Sequence, residues 1–138
     1  MKQIKLIWMD LDELFDDPYL RGWHHERSYL FNEFQAPRFV SDAARVVLLW
    51  SYGGTYIDLD VITLKPFPEI PNFLGRMDEK QINLAISNFT KGHMLIDMLR
   101  KELSASFDLF LITSVGPKLV TETLHRYCPG SPMNKETL

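Results

Sequence analysis

The sequence predicts an α/β layered fold with a mainly parallel sheet. Three observations predict it: short β-branched stretches that alternate in polarity, apolar stretches with helical spacing between them, and glycine or proline breaks at the joints. With 138 residues, 46% of them hydrophobic and 24% charged, the chain is composed like one globular domain over residues 1–128, followed by a tail at 129–138.

The elements follow in order. Lys2 to Leu11 reads as a strand in which Ile4, Leu6 and Trp8 alternate with Lys5, Ile7 and Met9. Asp10 to Phe15 reads as a short helical turn, stopped by Asp16-Asp17-Pro18. Residues 19–40 read as mostly loop with one short helix. His24-His25 falls there, and adjacent residues share neither a helix face nor a strand face, which makes a poor two-ligand metal site. Ser41 to Tyr52 is the clearest helix: Ser41 or Asp42 can cap it, Val46 to Trp50 make it apolar all round, and Gly53-Gly54 ends it. Thr55 to Leu64 reads as a β-branched strand, and Pro66, Pro68 and Pro71 end regular structure after it. Gln81 to Asn88 reads as a further strand. His93 to Leu103 reads as a helix with Met94, Leu95, Met98 and Leu99 inward, and Lys118 to Arg126 as a last helix with Leu119, Val120 and Leu124 inward.

Composition narrows the function classes. A net charge of -3 with scattered cations offers no basic face for nucleic acid. No run approaches the roughly 20 apolar residues of a membrane span, and the N-terminal stretch is too short for a signal peptide. The lone Cys128 has no partner within the chain for a disulfide.

The chemistry concentrates in Thr55-Tyr56-Ile57-Asp58-Leu59-Asp60-Val61-Ile62. On a strand, Asp58 and Asp60 project to one face while Ile57, Leu59 and Val61 point into apolar packing. Two like charges held side by side raise each other's pKa unless a cation joins them. Hard oxygen ligands with room for water and phosphate suit Mg²⁺ or Mn²⁺ better than Zn²⁺. Such an ion stabilises charge that builds on a departing diphosphate. A lone Asp-x-Asp is a weak signal, since most such pairs are solvated turns or strand edges. Here the preceding buried helix and glycine break strengthen it. Gly53 and Gly54 let the backbone approach a bulky ligand. Asp42 and Arg45 share a helix face at i, i+3, which reads either as a plain intrahelical ion pair or as a pair facing the ligand, with Arg45 supporting the carboxylates or meeting phosphate. Asn88-Phe89-Thr90 fits the N-glycosylation pattern, a short motif that also arises by chance.

The string from Ser41-Asp42-Ala43-Ala44-Arg45 through Tyr52-Gly53-Gly54-Thr55-Tyr56-Ile57-Asp58-Leu59-Asp60 resembles the DXD segment of the sugar-binding glycosyltransferases, most of all the branch of alpha-1,4-galactosyl- and alpha-1,4-N-acetylglucosaminyltransferases. Phe67 to Gly75, Ile82-Asn83, Lys91-Gly92-His93 and Gly116-Pro117 to Cys128 follow in the family's order. The resemblance implies a GT-A-like (Rossmann-like) nucleotide-sugar fold, a Mn²⁺ (or Mg²⁺) cofactor and a UDP-sugar donor. It also implies transfer with retention to a galactose-ended glycolipid or glycan, and a Golgi location. By motif position, Asp58 and Asp60 hold the metal and donor. Asp42 and Arg45 line the donor site, Gly54 and Tyr56 shape it, and Asn83 stands nearby. Family members also carry an anchor, an earlier strand-helix-strand and a later C-terminal region, so the chain is expected to be an incomplete copy with exposed sheet edges, poorly soluble or marginally stable. The expected activity is hexosyl transfer. The alternative is a non-catalytic relative that keeps the DXD core and binds donor weakly or not at all.

Overall fold

A computed structural model describes residues 5–26, 36–108, 110–111 and 113–129. Helix α1 (Leu11–Leu14) begins at Asp10, whose side chain accepts from the backbone N–H groups of Asp12 at 2.9 Å and Glu13 at 3.3 Å, satisfying two first-turn donors. Helix α2 (Arg21–Glu26) is a short helix in the stretch 19–40 expected to be mostly loop, of which residues 27–35 lie outside the described residues, and His24 and His25 take consecutive positions on it. Residues 5–10, expected in a strand, form none, and Leu6 and Trp8 are 93% and 94% exposed. Alternation alone makes no strand, because no neighbouring strand among the described residues bonds this backbone.

Helix α3 (Ala36–Tyr52) starts five residues before the expected Ser41, so Ser41 and Asp42 are interior positions and not caps. Pro37 falls in the stretch expected to be mostly loop. Its place in the first turn costs nothing, because its missing N–H would have had no helical partner there. The helix is buried through Ala43, Ala44, Val46, Val47 and Leu49. Gly53 stops it at φ 67°, and its N–H bonds the carbonyl of Leu49 at 3.0 Å.

Strand β1 (Gly54–Ile57) follows, then β2 (Phe73–Arg76) and β3 (Ile82–Phe89). They form one sheet in the order β1-β3-β2, and both pairings are antiparallel. The expected mainly parallel sheet is corrected here. Parallel neighbours need a long crossover, whereas residues 77–81 join β2 to β3 as a tight turn closed by Met77 N–H on the Gln81 carbonyl at 2.9 Å. Four-residue β2, in the proline-rich stretch, was not foreseen.

The strand expected over Thr55 to Leu64 stops at Ile57. The Asp58 N–H still bonds the Ala85 carbonyl at 2.9 Å, but the Asp58 carbonyl accepts from Val61 N–H at 3.1 Å and closes a turn over Leu59-Asp60. Aspartate favours that first turn position. Asp58 and Asp60 therefore stand at the start and within a turn, not on one strand face. Leu59 is fully exposed and Ile57 partly so, against the expected apolar packing.

Helix α4 (Met94–Ser106) is capped by His93, whose Nδ1 accepts from Leu95 N–H at 3.2 Å. Its buried residues are Ile96, Leu99, Arg100 and Leu103, with Leu95 packed partly against the core, so the expected face holds at Leu95 and Leu99 and is rotated elsewhere; Met94 is exposed. Rotation lets Arg100 reach Asp17 and Asp97 while its guanidinium lies 4.4 Å from the centre of the Trp50 ring. Helix α5 (Pro117–Tyr127) buries Leu119 and Val120 with Thr121 and Thr123. The Thr121 hydroxyl accepts from Ile82 N–H at 2.9 Å and locks α5 against β3. Helices α3, α4 and α5 thus back the sheet around a core of Phe39, Leu49, Leu84, Phe89, Leu99 and Leu119. The expected apolar exposure is present at Leu59, Ile62 and Leu64, and β1 and β2 are the edges of the described sheet. No helix among the described residues is long and apolar enough to cross a membrane.

Candidate functional site

Helix α3 packs beside β1. Arg45 on α3 reaches both sides: its Nη2 lies 2.9 Å from Asp42 Oδ1 and 3.3 Å from Asp58 Oδ1. The Tyr56 hydroxyl donates to the same Asp58 oxygen at 2.9 Å, and the Arg45 guanidinium sits 5.3 Å from the centre of the Tyr56 ring. Asp58 Oδ1 is thereby held by two donors. The Asp42–Arg45 pair is the intrahelical ion pair of one reading, and both residues also line a cleft.

Asp42 is buried, with its carboxylate lying against Gly116 at the start of α5. Burial pushes its pKa up. The Arg45 and Arg38 charges pull the other way, and Asp58 adds to the rise. The Tyr56 hydroxyl is also raised, by burial first, with Arg45 opposing and the bond to Asp58 reinforcing. A carboxylate this buried is tolerable because the Arg45 guanidinium pairs with it.

These groups line one cleft of about 780 Å³, within the range that takes a small-molecule ligand. Asp42, Arg45, Tyr56, Asp58, Asp60 and Asn83 all line it, brought together from α3, β1, the following turn and β3. Gly54 does not. It opens β1 opposite Phe89 at φ 92°, and a methyl there would meet open space, so its contribution is backbone conformation and not close approach. Asn83 Oδ1 accepts from Ala85 N–H at 3.1 Å, which holds its side chain at the cleft wall. Arg38, Ser41, Met77 and Pro117 also line the cleft and were not singled out from sequence. Arg38 was legible in principle: reading Pro37 as a helix start would have put Arg38 one turn before Asp42 on the same face.

The donor set fits a hard divalent cation in part. Asp60 is exposed and has no side-chain partner among the described residues, and Asp58 has one oxygen fixed and one without a hydrogen bond. Among the described residues no three His, Cys, Asp or Glu side chains converge. Two carboxylates on a turn suit an ion that keeps several water or phosphate ligands, as Mg²⁺ does.

A family model described as the glycosyltransferase sugar-binding region containing the DXD motif matches residues 6–91. Among curated relatives, lactosylceramide 4-alpha-galactosyltransferase of Mus musculus is 32% identical over 127 residues, which is 92% of this chain and 35% of that protein. Alpha-1,4-N-acetylglucosaminyltransferase of Homo sapiens is 29% identical over 126 residues, covering 87% and 35%. The chain spans about a third of the length of these relatives. Among solved structures, PaToxG Glycosyltransferase aligns with a TM-score of 0.69 at 18% identity, over 86% of this chain and 44% of that one. That likeness establishes the expected GT-A-like α/β fold, present in part.

Proposed function

The chain belongs to the family of glycosyltransferase sugar-binding regions containing the DXD motif, and from that premise we propose that it forms the donor-binding core of a metal-dependent, retaining hexosyltransferase. The donor is a UDP-sugar carrying galactose or N-acetylglucosamine, and the acceptor is a galactose-ended glycolipid or glycan. The likeness to an alpha-1,4-galactosyl- and an alpha-1,4-N-acetylglucosaminyltransferase supports that choice, and with it a place in the Golgi lumen.

One observation carries the reading. The motif carboxylates line one cleft with the Asp42–Arg45 pair, and Arg45 joins buried Asp42 to Asp58. Asp58 and Asp60 would hold Mn²⁺ (or Mg²⁺), which when bound supplies positive charge beside a departing diphosphate. The chain's own residues do the rest. Arg45 and Tyr56 fix one oxygen of Asp58 and so leave the other aimed by default. Asp42, acceptor-only when ionised, has one oxygen engaged by Arg45 and supplies acceptor capacity for a ligand hydroxyl at the cleft wall. Preorganised charges in a partly buried site act more strongly than the same charges in water.

Calorimetric titration of UDP with and without Mn²⁺, on the chain and on its Asp58→Asn/Asp60→Asn variant, tests this. Binding that requires the metal and disappears in the double variant is the expected result. A folded chain that binds no UDP with Mn²⁺ present would refute the donor site and leave a non-catalytic relative as the reading.

A further inference from the structure

The cleft holds more charge than the motif accounts for, and its two arginines are in different situations. Arg45 is largely enclosed, its side chain 11% exposed, and committed: its Nη2 serves Asp42 and Asp58 together, and turning it toward a ligand would leave Asp42 buried without its partner. Arg38 is exposed, lines the same cleft, and has no ion pair or hydrogen bond among the described residues. It stands four residues before Asp42 on α3, so the two lie on one face, a turn apart.

The charge count in the cleft then matters. Asp42, Asp58 and Asp60 against Arg38 and Arg45 give a formal net charge of -1. A divalent cation at Asp58 and Asp60 turns this to +1, and the diphosphate of a nucleotide sugar brings about two negative charges. Of the two guanidiniums, Arg38 is free to meet those oxygens without breaking a buried pair. A guanidinium also suits phosphate by its planar array of donors.

We propose that Arg38 is the residue that contacts the diphosphate of the donor, and that Arg45 is a positioning residue that holds the carboxylates and does not bind phosphate. The inference rests on the donor-site reading above and adds to it which cation recognises the phosphates.

The test compares wild type with Arg38→Gln, Arg38→Lys and, as a control with the same charge change outside the cleft, Lys91→Gln. Titrations of the full chain use UDP and uridine with Mn²⁺ present, at two salt concentrations, and thermal unfolding verifies that each variant is folded. Arg38→Gln is expected to weaken UDP binding at least about tenfold, as loss of a charge-assisted contact should. Uridine binding stays unchanged, and the UDP salt dependence becomes shallower because one screened attraction is gone. Arg38→Lys restores part of the loss, and Lys91→Gln behaves as wild type. UDP affinity unchanged in Arg38→Gln overturns the inference, as does an equal loss of uridine binding or an equal loss in Lys91→Gln. If wild type binds UDP with Mn²⁺ and Arg38→Gln is indifferent, only this inference fails. If folded wild type does not bind UDP, the donor-site reading fails and takes this inference with it.

Discussion

Gly116→Ala probes the contact that joins the site to the rest of the fold. The backbone at Gly116 has φ -110° and ψ -120°, outside the broad β and right-handed α regions, so part of any cost belongs to the backbone and is the same with or without Asp42. The rest is space. A methyl on Gly116 would overlap Asp42 Oδ2 and lie 2.9 Å from Asp42 Cγ and 3.3 Å from Oδ1. The Asp42 side chain is short and buried, and Arg45 holds it at 2.9 Å, so it has little freedom to give way. Overpacking of this kind costs about 1–3 kcal/mol, and complete loss of a buried ion pair about 3–5. A cost of about 2–3 kcal/mol follows, because the pair is displaced and not removed. For a domain of this size that is a fall in Tm of roughly 6–9 °C. Thermal and urea unfolding measure it. A double-mutant cycle with Asp42→Ala identifies the cause: once the carboxylate is gone, Gly116→Ala should cost at least about 1 kcal/mol less than in wild type, so the two changes are strongly non-additive. Gly116→Ala as stable as wild type, or equally costly in both backgrounds, refutes the reasoning.

The adjacent glycines should separate by mechanism. Gly53→Ala combines φ 67° with a methyl 2.5 Å from the Lys91 backbone nitrogen and is expected to cost about 2–4 kcal/mol, whereas Gly54→Ala at φ 92° meets nothing and should cost about 1 kcal/mol. Urea unfolding of both variants checks the order, and equal costs would sink it. Acid stability should depend on Asp97. Burial alone would raise its pKa, but the bonds from Lys101 and Arg100 outweigh burial and hold it below the usual aspartate range. The folded protein then binds fewer protons than the unfolded chain near pH 4, so this stability is present above the unfolded pKa and is lost as pH falls through the folded one. Asp97→Asn should lower stability at neutral pH and flatten the loss below about pH 4. Unfolding at pH 3 and pH 7 measures both arms, and an unchanged slope would exclude Asp97 as its source.

What the sequence determined by itself was local. The stop at Gly53, the helical turn after Asp10, the strand at 82–89 and the burial of Val46, Val47 and Leu49 all depend on neighbours within a few residues, and all were legible. So was the Ser41-Asp42 to Asp58-Leu59-Asp60 string, of which Ser41, Asp42, Arg45, Tyr56, Asp58 and Asp60 line one cleft and Gly54 does not. Tertiary structure decided what depends on partners. Alternation at residues 5–10 predicts a strand, but a strand exists only where another backbone answers its N–H and C=O groups. The antiparallel order β1-β3-β2 follows from how residues 77–81 turn, which the helix-strand alternation did not encode. Asp58 lies at a turn because its carbonyl pairs with Val61, a choice the β-branched run concealed. Arg45 bridging two carboxylates, and Gly116 leaving room for Asp42, join residues from distant parts of the chain. Local propensity sets which elements can form. Packing sets which side chains meet, because an ion pair or a close approach is a distance between elements, and no single stretch of sequence contains it.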